Sequence, residues 1–355
     1  MKNIKINKNK IGNKYPTYFI ADIGANHDGS LNRAKKLIKL CAKAGANAAK
    51  FQHFKAETIV SDYGFKNLKI KTHQSKWKKD VFSVYKKASI NPKWTKELIK
   101  TCKKFKIDFF TSPYDLDYVD NLNKYLCAYK IGSGDITWLE VIKKISKKNK
   151  PVMIATGASD LRDVERAYRL ISKFNKKIIL MQCNTNYTGD KKNLKFVNLN
   201  VLDTFKKKFG DRVILGLSDH TFGHISVLGA VSKGARVIEK HFTDNNSRQG
   251  PDHHFAMNPK TWKAMVEATR TLETALGDGV KKVEKNEINA KIVQQRSIRA
   301  KVNIDKSQKI KKNHLICLRP KSNKGLEPYK MSMIIGKKAK RKILIHEEIN
   351  WTLIN

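Results

Sequence analysis

The sequence has few cysteines, and none of them are paired at a metal-binding spacing. There are five, an odd number, and no Cys-x-x-Cys motif occurs. This argues against both a disulfide framework and a zinc ribbon. Most of the cysteines lie in apolar runs, where the residue behaves as a small core side chain. Such usage fits a reducing compartment, and we expect a cytoplasmic protein.

Long apolar runs are missing as well. No segment approaches the roughly 18 apolar residues that a membrane-spanning helix requires. Residues 1–8 carry charge but lack the apolar core and the cleavage site of a signal peptide. We therefore expect no membrane partner.

Acidic residues are scarce, with 31 Asp and Glu against 73 Lys and Arg, for a formal net charge of +42. Such an excess can indicate a nucleic acid or an anionic membrane as partner. However, the lysines are spread over helical stretches, as at 35–36, 103–104 and 206–208, and are not gathered in one arm. We favour solvated helix faces and no nucleic-acid partner, while a small anionic substrate would still gain from steering.

Residues 1–279 alternate between short apolar runs and longer amphipathic stretches. The predicted strands are Tyr18–Asp22, Ala46–Phe51, Ile107–Phe110, Ala128–Ile131, Val152–Ala155, Ile178–Met181, Val213–Leu215 and Arg236–Glu239. The predicted helices are Leu31–Ala44, Pro92–Phe105, Leu116–Leu126, Leu139–Lys147, Leu161–Phe174, Leu194–Phe209, Ile225–Lys233 and Pro259–Leu276. Eight such units predict an α/β fold of the (β/α)8 TIM-barrel type. Gln52–Ile90 has weak periodicity and is predicted to be an elaborated loop.

A doubly wound open sheet is the structural alternative. It predicts a glycine-rich dinucleotide fingerprint after the first strand, and the glycines of 23–29 have the wrong spacing for one. After the barrel, residues 280–289 are charged and are predicted to form a linker. Residues 290–355 are predicted to be a small β-rich domain, with strands at Ile298–Val302, Leu315–Leu318, Met333–Ile335 and Ile343–Ile345. So small a domain would gain stability by docking.

Polar residues follow the predicted strands at their carboxyl ends, where a TIM barrel holds its active site. Lys50 and Lys130, with nearby hydroxyls and glycine amides, suit a phosphate or a carboxylate. His220 and His241 each follow an apolar run, and neighbouring strands lie about 4.8 Å apart. The two imidazoles could therefore share a divalent cation such as Mn²⁺, Zn²⁺ or Fe²⁺.

Each of these residues also has a structural interpretation. A strand-end lysine is usually a solvated rim residue, a Gly-Ser-Gly sequence is usually a turn, and one histidine is more often hydrogen-bonded than a ligand. His253 and His254 are adjacent, so their side chains tend to diverge, and we interpret them as loop residues. The functional interpretation is favoured because eight independent strand ends agree.

Six motifs in one order resemble the sialic acid (nonulosonic acid) synthase family. They are Phe19–Gly29 (FIADIGANHDG), Ala49–Gln52 (AKFQ), Lys130–Asp135 (KIGSGD), Gly216–Thr221 (GLSDHT), Glu239–Asp244 (EKHFTD) and Gly250–Asp252 (GPD). Arg319-Pro320, Ile335–Ala339 and Ile345–Ile354 resemble the family's C-terminal antifreeze-like (SAF, β-clip) domain. The resemblance covers essentially the whole chain.

The resemblance implies an enzyme that condenses phosphoenolpyruvate with an N-acylmannosamine-type sugar aldehyde and releases phosphate. It implies a divalent metal, Mn²⁺ or Mg²⁺, and a domain-swapped homodimer. By the same resemblance, His220 and His241 are catalytic metal ligands. Asp22 is our candidate for a catalytic carboxylate that orients the sugar or moves a proton. The implied substrate-binding residues are Lys50, Gln52, Thr111, Lys130, Ser133, Thr185, Tyr187, Ser218, Asp252 and Arg319.

Three positions depart from the family pattern. Asp22 stands where the family usually has Glu, Ala155 where it often has Ser, and Thr185 where it has Asn. These departures bear on the sugar more than on the reaction. We expect Gln52–Ile90 and Gly250–Met257 to select among N-acetylmannosamine, a 2,4-diacetamido-trideoxy sugar and mannose.

Two other functions stay open at this point. One is a synthase of the same fold that adds phosphoenolpyruvate to a different aldose, including legionaminate-type or ketodeoxynonulosonate (KDN)-type acceptors. The other is a basic protein that binds RNA or acidic polysaccharide, for which salt-sensitive binding is expected. Metal-dependent release of phosphate separates the enzyme from the binding protein.

Overall fold

A computed structural model describes residues 3–70, 74, 77 and 79–355. The chain divides into two compact units, Met1–Gly277 and Asp278–Asn355. No helix among the described residues combines the length and the apolar character that crossing a bilayer demands.

The first unit is built on a closed barrel of eight parallel strands, preceded by a two-stranded hairpin. The strands are β1 Ile4–Ile6, β2 Asn9–Ile11, β3 Tyr18–Asp22, β4 Ala48–His53, β5 Asp108–Pro113, β6 Tyr129–Ile131, β7 Val152–Ala155, β8 Ile178–Cys183, β9 Ile214–Asp219 and β10 Val237–His241. Strands β3 to β10 pair in chain order, and β10 pairs with β3 to close the barrel. The predicted (β/α)8 barrel is confirmed, and the open doubly wound sheet is wrong.

Helices follow the strands and, apart from the three between residues 54 and 90, pack on the outside of the barrel. They are α1 Leu31–Lys43, α2 Ala56–Ile59, α3 Asp62–Lys66, α4 Val81–Ala88, α5 Thr95–Lys104, α6 Leu116–Asn121, α7 Leu139–Ser146, α8 Leu161–Phe174, α9 Val201–Phe209, α10 Ile225–Ser232 and α11 Pro259–Leu276. The sequence specifies several of their starts. Asp160 and Asn258 form capping boxes, and Pro259 occupies the first turn of α11.

The structure corrects three of the predictions for this unit. The segment Gln52–Ile90, predicted to be a loop, contains the short helices α2, α3 and α4; its residues 71–73, 75–76 and 78 lie outside the described part of the chain. The predicted helices Leu116–Leu126 and Leu194–Phe209 are each divided between a 3-10 turn and a shorter α-helix.

The hairpin β1–β2 lies at the amino-terminal end of the barrel and was not predicted. Asp108, the first residue of β5, accepts hydrogen bonds from the side chains of Asn7 at 2.6 Å, Asn9 at 2.8 Å and Tyr18 at 2.6 Å. The isoleucines of the hairpin are buried in the same core as the barrel strands. The hairpin therefore covers the end of the barrel opposite to the carboxyl ends of its strands.

The second unit has its own small core and little regular sheet. Its elements are α12 Ile288–Gln294, β11 Ser297–Ala300 and β12 Leu315–Leu318, and the two strands pair antiparallel. The core is formed by residues such as Ile298, Ile304 and Ile343. The helix α12 begins inside the predicted linker.

Two of the strands predicted for this unit are wrong. Met333 is the last residue of the 3-10 helix Pro328–Met333, and Ile334 and Ile335 continue into a turn. Ile343–Ile345 contributes only an isolated bridge between Ile343 and Ile304. The assignment of this unit as an antifreeze-like domain stays a prediction.

Replacing Asp108 by alanine should destabilise the protein. The buried hydroxyl of Tyr18 and the side-chain amides of Asn7 and Asn9 would lose a charged acceptor, and we expect the free energy of unfolding to fall by about 3 kcal/mol. Scanning calorimetry would show this as a lower Tm. The control Asp203→Ala removes a carboxylate from an exposed ion pair with Lys233, where we expect a change within about 0.5 kcal/mol. Equal Tm values for the two variants would contradict the proposed role of Asp108.

Candidate active site

A cavity of about 370 Å³ lies at the carboxyl ends of the barrel strands. Most of the predicted site residues line it: Asp22, Lys50, Gln52, Lys130, Ser133, Tyr187, Ser218, His220, His241 and Asp252. They come from six of the eight strand ends, so the alternation of strand and helix brings them together over chain separations of more than 200 residues.

The strand register explains why three of these residues meet. His241 of β10 pairs with Asp22 of β3, and Asp22 pairs in turn with Lys50 of β4. Side chains of directly paired residues point to the same face of a sheet. The three side chains therefore stand in one row at the mouth of the barrel.

Lys50 and Asp22 form a buried ion pair in this row. Lys50 Nζ lies 2.7 Å from Asp22 Oδ2, and the side chains are 2% and 3% exposed. Gln52 donates to the same oxygen at 3.0 Å. Burial raises the pKa of Asp22, but Lys50, His241 and the hydrogen bonds from Lys50 and Gln52 outweigh it, so the pKa lies below its usual value. The carboxylate stays ionised and can accept hydrogen bonds, but it is a poor proton donor.

Both lysines of the cavity contact Glu239, which the sequence analysis did not include among the site residues. Its Oε1 lies 3.3 Å from Lys130 Nζ and 3.8 Å from Lys50 Nζ, and it accepts from Ser218 Oγ at 3.3 Å. Burial lowers the pKa of Lys50, but Asp22 and Glu239 raise it above its usual value. A signal was present in the sequence, because Glu239 stands two residues before His241 and must share its face of the strand.

His220 and His241 face each other across β9 and β10, with ring centroids 5.5 Å apart. Nδ1 of His220 lies 2.8 Å from the carbonyl oxygen of Asn184. Because a carbonyl only accepts, this nitrogen carries a proton, and in the neutral ring Nε2 is the nitrogen with the lone pair. Nε2 of His241 lies 3.6 Å from Asp22 Oδ2, and Nδ1 lies 3.8 Å from Asp252 Oδ2.

The residues present fit a divalent cation. Nδ1 of His241 is buried and has no hydrogen-bond partner among the described residues. The carbonyl that fixes the ring of His220 is typical of an imidazole that binds metal through its other nitrogen. In the described part of the chain, no group of three or more His, Cys, Asp or Glu side chains could hold an ion. A metal here would have two protein ligands and open positions for water or substrate.

An aromatic residue and a glycine complete the surroundings of the imidazoles. The ring centroid of Tyr187 lies 4.3 Å from that of His220. Gly24 has φ of +48°, and a Cβ there would come within 2.7 Å of Asp252 Oδ2 and 3.2 Å of the ring of His241. Only glycine allows the loop after β3 to pass this close to the site.

Ser133, Asp135 and Cys183 add further polar groups to the wall. Burial raises the pKa of Asp135 to about 6, although Lys130 opposes the shift. Burial acts to raise the pKa of the Cys183 thiol, but the interactions with His220, Ser133 and Lys130 together outweigh it, so the pKa lies below its usual value. These groups give the wall both hydrogen-bond donors and acceptors next to Lys130.

Buried and half-buried side chains of the segment between β4 and α5 cover part of the cavity. Phe54 and Tyr85 are among them, with ring centroids 5.5 Å apart, and Ile59 and Val84 lie beside them in the wall. The prediction that this segment helps to select the sugar therefore concerns side chains that do line the cavity.

Two predicted site residues of the first unit do not line the cavity. Thr111 Oγ1 is buried and donates to the carbonyl of Phe51 at 2.8 Å. Thr185 is half-buried, and its methyl group leaves no room for a Cβ at Gly157. Arg319 belongs to the second unit, where it is exposed and precedes a cis bond to Pro320. Their roles in substrate binding stay predictions.

The chain is similar to proteins of one family. The NeuB family model matches residues 37–281. An N,N'-diacetyllegionaminic acid synthase of Campylobacter jejuni is 37% identical over 327 residues, which cover 90% of this chain and 95% of that protein. A pseudaminic acid synthase of the same organism is 32% identical over 333 residues, which cover 92% and 93%.

A solved structure agrees with these relatives. The N-acetylneuraminic acid (sialic acid) synthetase of Leptospira borgpetersenii superposes with a TM-score of 0.72 at 28% identity, covering 81% of this chain and 95% of that one. The predicted resemblance is thereby confirmed. The family match includes strands β4 to β10 and the residues from Lys50 to Asp252 that meet at the barrel mouth. The chain belongs to the NeuB family and is a carbon–carbon bond-forming synthase.

Proposed function

We propose that the protein condenses phosphoenolpyruvate with an N-acylmannosamine-type sugar in its open aldehyde form, producing a nonulosonic acid and phosphate. The observation that carries the proposal is the meeting of two lysines and two histidines in one buried cavity. The lysines provide a place for a compact anion, and the histidines provide a place for a cation that can bind an aldehyde oxygen.

The anion is assigned to Lys50 and Lys130. Ammonium groups form strong charge-assisted hydrogen bonds to phosphate and carboxylate oxygens. Their side chains are 2% and 3% exposed, so little solvent screening weakens the attraction. Ser133 and Ser218 stand beside them with hydroxyl donors. We assign the phosphate and carboxylate of phosphoenolpyruvate to these four residues.

The sugar is assigned to the other side of the cavity. Ionised Asp22 accepts a hydrogen bond from a sugar hydroxyl and orients the aldehyde, and Gln52, Tyr187 and Asp252 contribute further polar contacts. The names of the Campylobacter relatives make a 2,4-diacetamido-trideoxy sugar a member of the acceptor class, beside N-acetylmannosamine and mannose. A legionaminate-type acceptor is therefore the alternative within the same reaction.

The reaction joins the enol carbon of phosphoenolpyruvate to the aldehyde carbon, and the aldehyde oxygen becomes a hydroxyl group. Water adds at C2 of the enol unit, and the bond from C2 to the phosphate oxygen then breaks. The two lysines keep the anion in place while charge is redistributed. Before the anion binds, the carboxylate of Glu239 balances the positive charge of the two lysines, both of which it contacts.

The proposed metal is held by His220 and His241. When bound, it polarises the aldehyde oxygen as a Lewis acid. Imidazole ligands favour a transition metal over Mg²⁺, which prefers oxygen ligands, so we propose Mn²⁺ ahead of Mg²⁺.

We further propose a cytoplasmic homodimer with exchanged antifreeze-like domains. In it, Arg319 of one copy completes the site of the other. Its guanidinium can hold the N-acyl oxygen of the sugar with paired donors. Equilibrium sedimentation tests this directly, because a monomer with full activity would exclude a borrowed arginine.

The reaction is tested by incubating the protein with phosphoenolpyruvate, Mn²⁺ and a panel of 2-acylamino sugars. We expect release of phosphate together with a sugar acid heavier by the pyruvate unit, read by mass spectrometry. Chelation should abolish both products, and added Mn²⁺ should restore them. Turnover that survives full chelation would refute the assignment of His220 and His241.

Lys130→Met should weaken the use of phosphoenolpyruvate. Losing a charge-assisted contact of about 2–3 kcal/mol corresponds to a fall of roughly 30- to 150-fold in kcat/KM for phosphoenolpyruvate. The methionine retains most of the apolar volume, so the fold should survive. Lys263→Met, on the exposed face of α11, is the matched control and should behave as the wild type. A KM for phosphoenolpyruvate unchanged in Lys130→Met would remove this lysine from the anion site.

A further inference from the structure

A second buried ion pair lies directly beside the two imidazoles, on the other face of their strands. The ammonium of Lys240 donates to Oδ2 of Asp219 and, at 2.6 Å, to the backbone carbonyl of Thr221. Asp219 and Thr221 are the two chain neighbours of His220, and Lys240 is the neighbour of His241. One ammonium group therefore contacts the residues on both sides of His220. Its own lysine is the chain neighbour of His241.

The pair cannot touch a substrate in the cavity. Its side chains are 1% and 2% exposed, and neither residue lines the cavity. Side chains alternate along a strand, so Asp219 and Lys240 point to the helix layer while their histidine neighbours point to the mouth. On that side Ser226 of α10 donates to Asp219 Oδ2 at 2.6 Å.

Stability alone is a weak explanation for this pair. Removing two charges from water is costly, and a well-packed apolar pair is often as stable or more stable. Among the ion pairs of the described residues, only this one and Lys50–Asp22 have both side chains less than 5% exposed. Lys50–Asp22 belongs to the cavity, whereas this pair lies outside it.

Geometry is the better explanation. Lys240 and Asp219 are direct partners in the register of β9 and β10. A charged pair with several hydrogen bonds has one favourable arrangement, whereas apolar side chains tolerate small shifts. This ion pair therefore fixes the distance between the strand ends that carry His220 and His241.

We propose that Asp219 and Lys240 are positioning residues that hold the two imidazoles at the separation needed to share one divalent cation. The proposal rests on the metal site of the proposed function and deepens it. Neither residue is a ligand, and their effect reaches the metal through the backbone at the histidines.

The test uses the full-length double variant Asp219→Asn with Lys240→Met. Removing both charges avoids an uncompensated buried ion, and the asparagine keeps an acceptor for Ser226 and Thr221. Mn²⁺ affinity is measured directly, from the electron paramagnetic resonance signal of free Mn²⁺ during titration. Partners outside the ligand set typically change metal affinity by roughly 10- to 100-fold, and we expect a loss in that range. Saturating Mn²⁺ should restore most of the turnover.

The matched control is Asp203→Asn with Lys233→Met, which removes the same residue types from an exposed ion pair. It should bind Mn²⁺ as the wild type does. If the double variant Asp219→Asn with Lys240→Met folds and also binds Mn²⁺ with wild-type affinity, the positioning role is overturned. Unchanged Mn²⁺ binding in His220→Ala with His241→Ala would instead overturn the metal site itself, so the two failures are distinguishable.

A third variant keeps the test decisive if the double variant does not fold. Lys240→Arg retains the charge, but its planar fork cannot reproduce the two contacts of the ammonium. We expect a well-folded protein, by circular dichroism, with Mn²⁺ affinity several-fold weaker than the wild type. Wild-type affinity in this folded variant would also contradict the proposal.

Discussion

Four buried charges at the mouth of the barrel have to neutralise one another. Asp22, Lys50, Glu239 and Lys130 alternate in sign, and their side chains are between 2% and 6% exposed. An uncompensated charge at such a depth is strongly destabilising. The site therefore depends on a strand register that interleaves carboxylates and ammonium groups. The same register leaves both lysines close enough to act on one anion.

In this barrel, a cluster of stabilising contacts and the polar groups of the candidate site lie at opposite ends. At the amino-terminal end, Asp108 ties the hairpin β1–β2 to the barrel through the side chains of Asn7, Asn9 and Tyr18. At the carboxyl end, the row of His241, Asp22 and Lys50 joins the last residues of β10 and β3 to their neighbour on β4. Polar groups can converge there without disturbing the barrel core, which is a general property of this fold.

The departures from the family pattern have different structural settings. Asp22, which is shorter than Glu, accepts hydrogen bonds from Lys50 and Gln52. These bonds hold its carboxylate close to the strand end. Ala155 is buried at the end of β7, and Thr185 packs against Gly157. Neither of the last two lines the cavity, whereas Asp22 does. The replacement at Asp22 is therefore the one of the three that changes the cavity wall.

Local patterns determined most of the barrel. Val152–Ala155, Leu161–Phe174 and Pro259–Leu276 have the predicted bounds, because apolar periodicity and capping residues act within a few residues of chain. The strand-end position of the site residues followed from the same patterns. The sequence motifs also identified the family and most of the cavity wall.

Only the tertiary structure decided which of these residues touch. The sequence did not indicate the hairpin β1–β2, because its charged, three-residue strands gain their stability from Asp108, about 100 residues away. Glu239 was missed because its importance comes from Lys50 and Lys130 on other strands. Two of the four strands predicted in the second unit, Met333–Ile335 and Ile343–Ile345, did not form because their three-residue runs are too short to outweigh local turn geometry. Periodicity reports which face a residue occupies, whereas register and closure of the barrel decide its partners.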